Sequence, residues 1–226
     1  MTTIPYPPDW YTQNPFFGYL HIWADFCRRA CFVNAQGRLA ADVLLYYPID
    51  SVWSLEENGV NGVNSFDSLT HRIDQEYHRA IMDLAEARID SLVGDDHYLR
   101  LGEVQQGALW IRGFRFRTVI LTTNHIMPRD VARKLLEFAR AGGFVLCLGD
   151  LPCGSTEVGL ADEQMRGLTE ALRDQPTYVS CTSGLRDLIE SRHPAVRSKI
   201  EFESGEFSLL AAHRRIDGRL LLAGEQ

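Results

Sequence analysis

Carboxylates supply the first candidate chemistry in this chain. Hydrolysis of a glycosidic bond needs two of them, one to protonate the leaving oxygen and one to attack the sugar or activate water. Asp50 follows the first strand-like apolar run and Asp150 follows a later one, so both are expected at one edge of a parallel sheet. Glu56 and Glu57, in the segment after Asp50, could stand in for either acid. Trp53 could offer a sugar face a stacking platform, with Asn58, Asn61 and Asn64 beyond it as polar contacts, and Asn124 and His125 facing them from a neighbouring turn. Aspartates at strand ends also cap turns, and that plainer role competes with catalysis at each position.

Nucleophilic catalysis is the second possibility. Enzymes on doubly wound sheets place Ser or Cys on a tight turn directly after a central strand, where backbone N–H groups can hold an oxyanion. The corresponding turn here is Thr122-Thr123-Asn124-His125, and no G-x-S-x-G motif occurs in the chain. Thr123 with His125, or Cys153 with His125, would be the remaining nucleophile and base, an esterase-like arrangement that residues adjacent on a loop seldom achieve. Cys147 lies inside an apolar run and reads as core. The stretch Leu148 to Thr156 has glycines after a strand but lacks both G-x-G-x-x-G and a Lys-Ser or Lys-Thr pair, so it makes no phosphate loop. His71, Asp74, Gln75 and His78 share one helix face, and Cys27 and Cys31 lie one turn apart; both patterns fit solvated or core positions better than metal ligands. Neither a metal nor an organic cofactor is expected.

The elements that must position these residues are readable from periodicity. Thr118 to Cys153 forms a strand, helix, strand unit: the apolar run Val119-Ile120-Leu121, a helix opened by Pro128 with Val131, Leu135, Leu136 and Phe138 on one face, Gly142-Gly143 to close it, and a second run from Phe144 to Leu148. Such continuous apolar runs mark parallel strands covered on both faces. Ligands bind beyond the carboxyl ends of strands in these sheets, which points to Thr123–His125 and Gly149–Gly154. Upstream, Ala41 to Tyr47 reads as the first sheet strand, Pro48 to Ser68 as a long loop, Leu69 to Arg88 as a helix burying Leu69, Ile73, Tyr77, Ala80, Ile81 and Leu84, and Ile89 to Val93 as a second strand. Gly107 to Arg117 alternates apolar and basic residues as a small antiparallel excursion. Downstream come a helix over 162–174, a short strand at 178–180, a helix over 184–191, and antiparallel strands including a hairpin turned at Asp217-Gly218. The fold class is therefore α/β, a three-layer flavodoxin-like parallel sheet with a small antiparallel C-terminal appendage. The domain plan is a lead-in over 1–14, the α/β domain over 15–195 and the appendage over 196–226.

The helix from Pro15 to Asn34, with Asn14 as cap, is apolar nearly all round: Phe16, Phe17, Tyr19, Ile22, Phe26 and Phe32 lie outside its main stripe. Either it is sandwiched within the fold or it packs against another molecule, and a homo-oligomer formed through this helix is expected. The chain of 226 residues carries a formal charge of -7, which opposes nucleic-acid binding because phosphate contacts need a basic face. No apolar stretch approaches the roughly 18 residues of a membrane span, and the N-terminal residues lack a signal-peptide pattern, so the expectation is a cytoplasmic protein without a membrane partner. Five cysteines without paired spacing fit reduced thiols.

Four phrases occur in a telling order: NPFFGYLHIWADFCRRACFVNAQG, ADVLLYYPIDSVWS, RIDSLVGDDHYL and GALWIRGFRFRTVILTTNHIMPRDVARKLLEFARAGGFVLCLGDLP. Together they resemble the α/β domain, similar to a class I glutamine amidotransferase, that follows the catalytic barrel in large α-L-rhamnosidase-type glycoside hydrolases and in galactosidases of the trimerisation-domain type. The resemblance implies a glycoside hydrolase-related module, an accessory or substrate-rim domain that binds or acts on carbohydrate. It implies no amidotransferase activity, because Asn124 stands in the turn where the amidotransferase nucleophile is Cys. The family's barrel has no counterpart in the sequence, and HRRIDGRLLLAGEQ corresponds to the start of the family's next β domain, so a segment of a longer protein is expected. The alternative is a freestanding small glycosidase using the Asp50 and Asp150 pair.

Overall fold

A computed structural model describes residues 12–55, 69–181, 184–192, 210–217 and 219–225. Its centre is a parallel sheet whose strands all read as apolar runs. In chain order the first elements are a 3-10 turn at Phe17–Tyr19, α1 (Leu20–Asn34), β1 (Arg38–Leu39), β2 (Val43–Tyr46), α2 (Ile49–Leu55), α3 (Leu69–Glu86), β3 (Ser91–Gly94) and α4 (Asp96–Leu101). The antiparallel excursion follows as β4 (Glu103–Gln105), β5 (Ala108–Ile111) and β6 (Phe114–Phe116). Then come β7 (Thr118–Leu121), β8 (Ile126–Met127), α5 (Arg129–Arg140), β9 (Phe144–Cys147), β10 (Gly154–Ser155), α6 (Glu163–Arg173), β11 (Tyr178–Ser180), α7 (Leu185–Arg192), β12 (Leu210–Ile216) and β13 (Arg219–Glu225).

The parallel sheet has the order β11-β9-β7-β2-β3, with Val43 in register with Ser91 on one side and Thr118 on the other. The first strand in sequence pairs with the second on one side and the third on the other, which is the flavodoxin-like order, and its switch point lies between β2 and β7. Alternation along each strand divides the core into two layers. Leu44, Tyr46, Val119, Leu121 and Val145 face α4, α5 and α6, while Val43, Leu45, Ile120 and Leu146 face α3 and α7. Each such side chain is fully buried, and burial of one contributes roughly 1.5–3 kcal/mol.

The C-terminal hairpin turns at Asp217, whose φ of 48° is a left-handed conformation that Asp tolerates. Strand β12 also pairs with β1, joining the appendage to the chain just ahead of the main sheet. His213 anchors it: 1% exposed, it meets Asp90 through Nδ1 at 2.5 Å, and its backbone N–H donates to the same carboxylate at 2.7 Å. Burial pushes the Asp90 carboxyl above its ordinary range, and the contacts from His213 oppose that rise.

Three expectations need correction. The segment after β2 opens with α2 instead of running as a loop, so Asp50 and Trp53 are helical residues; its remainder, 56–68, lies outside the described residues and takes Glu56, Glu57, Asn58, Asn61 and Asn64 with it. Ile81 is 38% exposed, because α3 turns Ile73, Ala80 and Leu84 inward instead. Helix α1 is not sandwiched: none of its residues is buried, although Asn14 does cap the preceding turn through a 2.9 Å bond from the Phe16 N–H to its Oδ1. Among the described residues, no helix is long and apolar enough to cross a membrane.

Candidate functional site

The carboxyl edge of the sheet is held by short polar ties that replace regular structure. Ser51, fully buried on α2, accepts from the backbone N–H groups of His125 and Ile126 at 2.8 and 3.1 Å and donates to the Ile126 carbonyl at 2.9 Å. One hydroxyl thereby uses its donor and both acceptor sites to fasten α2 to the turn after β7. The strands β8 and β10 pair in parallel beyond the main sheet, and Asp162 caps α6 while its Oδ2 accepts from Arg129 Nε at 2.6 Å. The Arg129 guanidinium holds the Asp162 carboxyl well below the usual carboxylate range.

Asp50 is brought to Asp96, not to Asp150. Its carboxyl neighbours that of Asp96, which is 7% exposed and accepts from the Tyr46 hydroxyl at 2.5 Å. Burial, then the bond and charge of Asp50, push Asp96 up to about 7, against the lowering influence of Tyr46 and Arg100. Tyr46 is raised in turn, by burial first and by Asp96 second. Arg100 is committed to Asp130, through bonds of 2.7 and 3.2 Å, so it does not neutralise the pair alone. Burial and the neighbouring Asp50 carboxyl both favour the protonated form of Asp96.

Asp150 has a different set of partners. Its exposed side chain pairs with Arg72, whose guanidinium also reaches Glu76 and the Thr123 hydroxyl, each at 3.2 Å. Thr123 is fixed further, as its backbone N–H donates to Glu76 at 3.2 Å and its hydroxyl accepts from the Asp150 N–H at 3.2 Å. The Thr123 hydroxyl therefore accepts from both a guanidinium and an amide. Cys153 donates its thiol to the His125 carbonyl at 3.6 Å, so the contact runs to the backbone and not to the imidazole.

Asn124 occupies the turn after β7 with its side chain directed away from solvent. It is 2% exposed, and Nδ2 donates to the Thr122 carbonyl at 2.8 Å. Its Oδ1 and the Thr122 hydroxyl are buried and meet no hydrogen-bond partner among the described residues. Next to this edge, α2 and α3 enclose a cavity of about 220 Å³ lined by Tyr47, Tyr77, Thr70, His71 and Asp74 together with Pro48 and Val52. The two tyrosine rings are 5.1 Å apart and inclined at 59°. Burial pushes Tyr77 up to about 12, with Tyr47 adding to the rise. Trp53 stands on α2 and is 64% exposed. Among the described residues, no group of three or more His, Cys, Asp or Glu could hold a metal ion.

With this geometry in place, the chain can be set beside known proteins. No protein-family model and no curated protein matches it. A solved β-galactosidase from Bifidobacterium adolescentis is similar over 58% of this chain, at 19% identity and a TM-score of 0.34. The matched region spans 54% of that galactosidase chain, about half its length.

The sequence places Asp50 and Asp150 at one edge of the sheet, and the structure gives them different neighbours, Asp96 and Arg72. Residue types and spacing did not single out Asp96, Tyr46, Ser51 and Arg72. Asp95 was the available signal for Asp96: an aspartate directly after a strand caps a following helix, and here its side chain accepts from the Tyr98 N–H at 3.0 Å. Arg72 and Glu76 are spaced for an i,i+4 pair on α3, which the sequence also displays. Nothing local marks Ser51, because its partners lie more than 70 residues away in the chain.

Proposed function

We propose that this chain is a non-catalytic, glycoside-binding module of the glycoside hydrolase type. The observation that carries the reading is Asn124: at the turn where this fold would mount a nucleophile, the side chain is an amide turned into the protein and bonded to its own backbone. The carboxylates add to it, since Asp50 neighbours Asp96 while Asp150 pairs with Arg72. The cavity between α2 and α3 supplies what binding needs. Tyr47 and Tyr77 present ring surface, and Thr70 and Asp74 present hydrogen-bonding groups beside it. At about 220 Å³ it is smaller than the roughly 300–1,000 Å³ of drug-sized sites, a size suited to a single sugar ring.

Saturation-transfer NMR with methyl α-L-rhamnoside and methyl β-D-galactoside tests this assignment. Binding of at least one is expected, weakened about tenfold or more in Tyr77→Ala, with no turnover of the matching 4-nitrophenyl glycosides. Turnover that disappears in Asp50→Asn or Asp150→Asn would establish the freestanding glycosidase instead. Failure of both glycosides to bind would remove the sugar-binding reading.

The same module is proposed to self-associate through α1. Phe16, Tyr19, Ile22 and Phe32 are 60–69% exposed on and before this helix, more apolar surface than a lone surface helix carries. A dimer or larger assembly is expected in light scattering at micromolar concentration, shifted toward monomer by Ile22→Glu with Phe26→Glu. A monomeric wild-type chain would contradict the assignment.

A further inference from the structure

Four arginines converge at the edge of the sheet opposite the sugar cavity. Arg38 on β1, Arg215 on β12, Arg115 on β6 and Arg117 just ahead of β7 line a cleft of about 500 Å³, together with Trp110 on β5 and one acid, Asp42. Asp42 directly precedes β2, so the cleft lies at the amino ends of the parallel strands, away from the carboxyl edge where ligands of this fold bind.

Among the described residues, the charges in this cleft are not balanced. Arg38 and Arg215 are direct cross-strand partners in the antiparallel pairing of β1 with β12, an arrangement of like charges that weakens a sheet. None of the four guanidinium groups has an ion pair or a side-chain hydrogen bond among the described residues, whereas Arg72, Arg100 and Arg129 elsewhere are all paired with carboxylates. The guanidinium carbon of Arg115 lies 5.7 Å from the centroid of the Trp110 ring, and Arg115 Nε is buried with no acceptor. A desolvated N–H without a partner is costly, and it is a group that an incoming acceptor would satisfy. Arg38 also crosses the β5–β6 turn at Gly113, where a Cβ would come within 2.5 Å of its Nη1 and where φ of 85° already favours glycine.

We propose that this cleft binds a small molecule carrying two or more oxyanion groups. Guanidinium groups match such ligands because their N–H donors form paired bonds to phosphoryl or carboxylate oxygens. The volume is that of a small-molecule site. The chain as a whole bears a formal charge of -7, so long polyanions are repelled at a distance and only a compact anion gains from a local cluster of cations. The proposal is independent of the glycoside assignment, which concerns other residues at the other edge.

Calorimetric titration of the full chain at low ionic strength with pyrophosphate, citrate and orthophosphate tests it. Pyrophosphate and citrate separate phosphoryl from carboxylate sources. At least one of the two is expected to bind at least tenfold more tightly than orthophosphate, with affinity falling as sodium chloride is raised. Arg38→Gln and Arg215→Gln should each weaken that binding tenfold or more. Unliganded Arg215→Gln should melt at or above the wild-type temperature, because removing one member of a like-charged pair relieves repulsion. Absence of binding by both polyvalent anions would overturn the proposal, as would affinities unchanged in well-folded Arg38→Gln and Arg215→Gln proteins.

Discussion

Asp96→Asn should stabilise the protein above neutral pH and leave it nearly unchanged in acid. In the folded chain Asp96 titrates near pH 7, against an ordinary value of 3.8, chiefly because it is buried and secondly because Asp50 shares its site. A raised folded value means that the native state holds a proton the unfolded chain has already released. The stability associated with that proton is complete below pH about 4 and is lost as pH rises toward 7, with a slope of up to about 1.4 kcal/mol per pH unit. Above pH 7 the fold carries the full cost of a buried Asp96 carboxylate beside Asp50. An asparagine imitates the protonated acid: Oδ1 still accepts from the Tyr46 hydroxyl, and Nδ2 can donate to Asp50. Loss of the negative charge in the first turn of α4 offsets roughly 0.3–1 kcal/mol of the gain. The net expectation is about 2–3 kcal/mol at pH 8 and close to zero at pH 4. Urea unfolding of both proteins from pH 4 to 8 measures it. Parallel stability curves for wild type and Asp96→Asn would mean that no shared proton exists at this site.

Phe138→Ala is expected to cause the largest loss of stability, about 3–5 kcal/mol, which is the usual cost of emptying a buried aromatic position. The ring is fully buried in the layer between α5 and the sheet and covers Gly143, where an added Cβ would lie 2.1 Å from Cε2. Gly143 in turn donates its N–H to the Phe138 carbonyl at 2.9 Å, closing α5 before β9 begins. Gly143→Ala alone should therefore cost about 1–3 kcal/mol by overpacking. The double variant should lose less than the sum of the two, since removing the ring makes room for the methyl group. Additive losses in denaturant unfolding would show that the ring and the glycine do not share this space.

Residues in continuous, locally patterned segments could be read directly. The apolar runs at Val43–Tyr46, Thr118–Leu121 and Phe144–Cys147 and the apolar face of α5 carry their structure in their own spacing, and each lies where its pattern puts it. The helices α2 and α4 carried no such signal. With 7 and 6 residues they are too short for periodicity to develop, and isolated helices of that length do not persist in water. Tertiary ties hold them: Ser51 to the turn after β7, and Asp96 beneath the Tyr46 hydroxyl. The neighbours of Asp50 and Asp150 were illegible for the same reason. Once α2 forms, Asp50 belongs to a helix and meets Asp96 across the ends of β2 and β3, while Arg72 from α3 claims Asp150.

Residue type and spacing alone set the fold class, the strand and helix at the core of the sheet, and the amide in the turn after β7. Those depend on residue type and spacing within a few tens of residues. Only the tertiary structure decided which carboxylates touch, which way Asn124 points, that α1 stays uncovered, and that arginines 38, 115, 117 and 215 meet in one cleft. These facts arise from contacts between segments far apart in the chain. Burial and charge proximity act through space, and no local pattern encodes them.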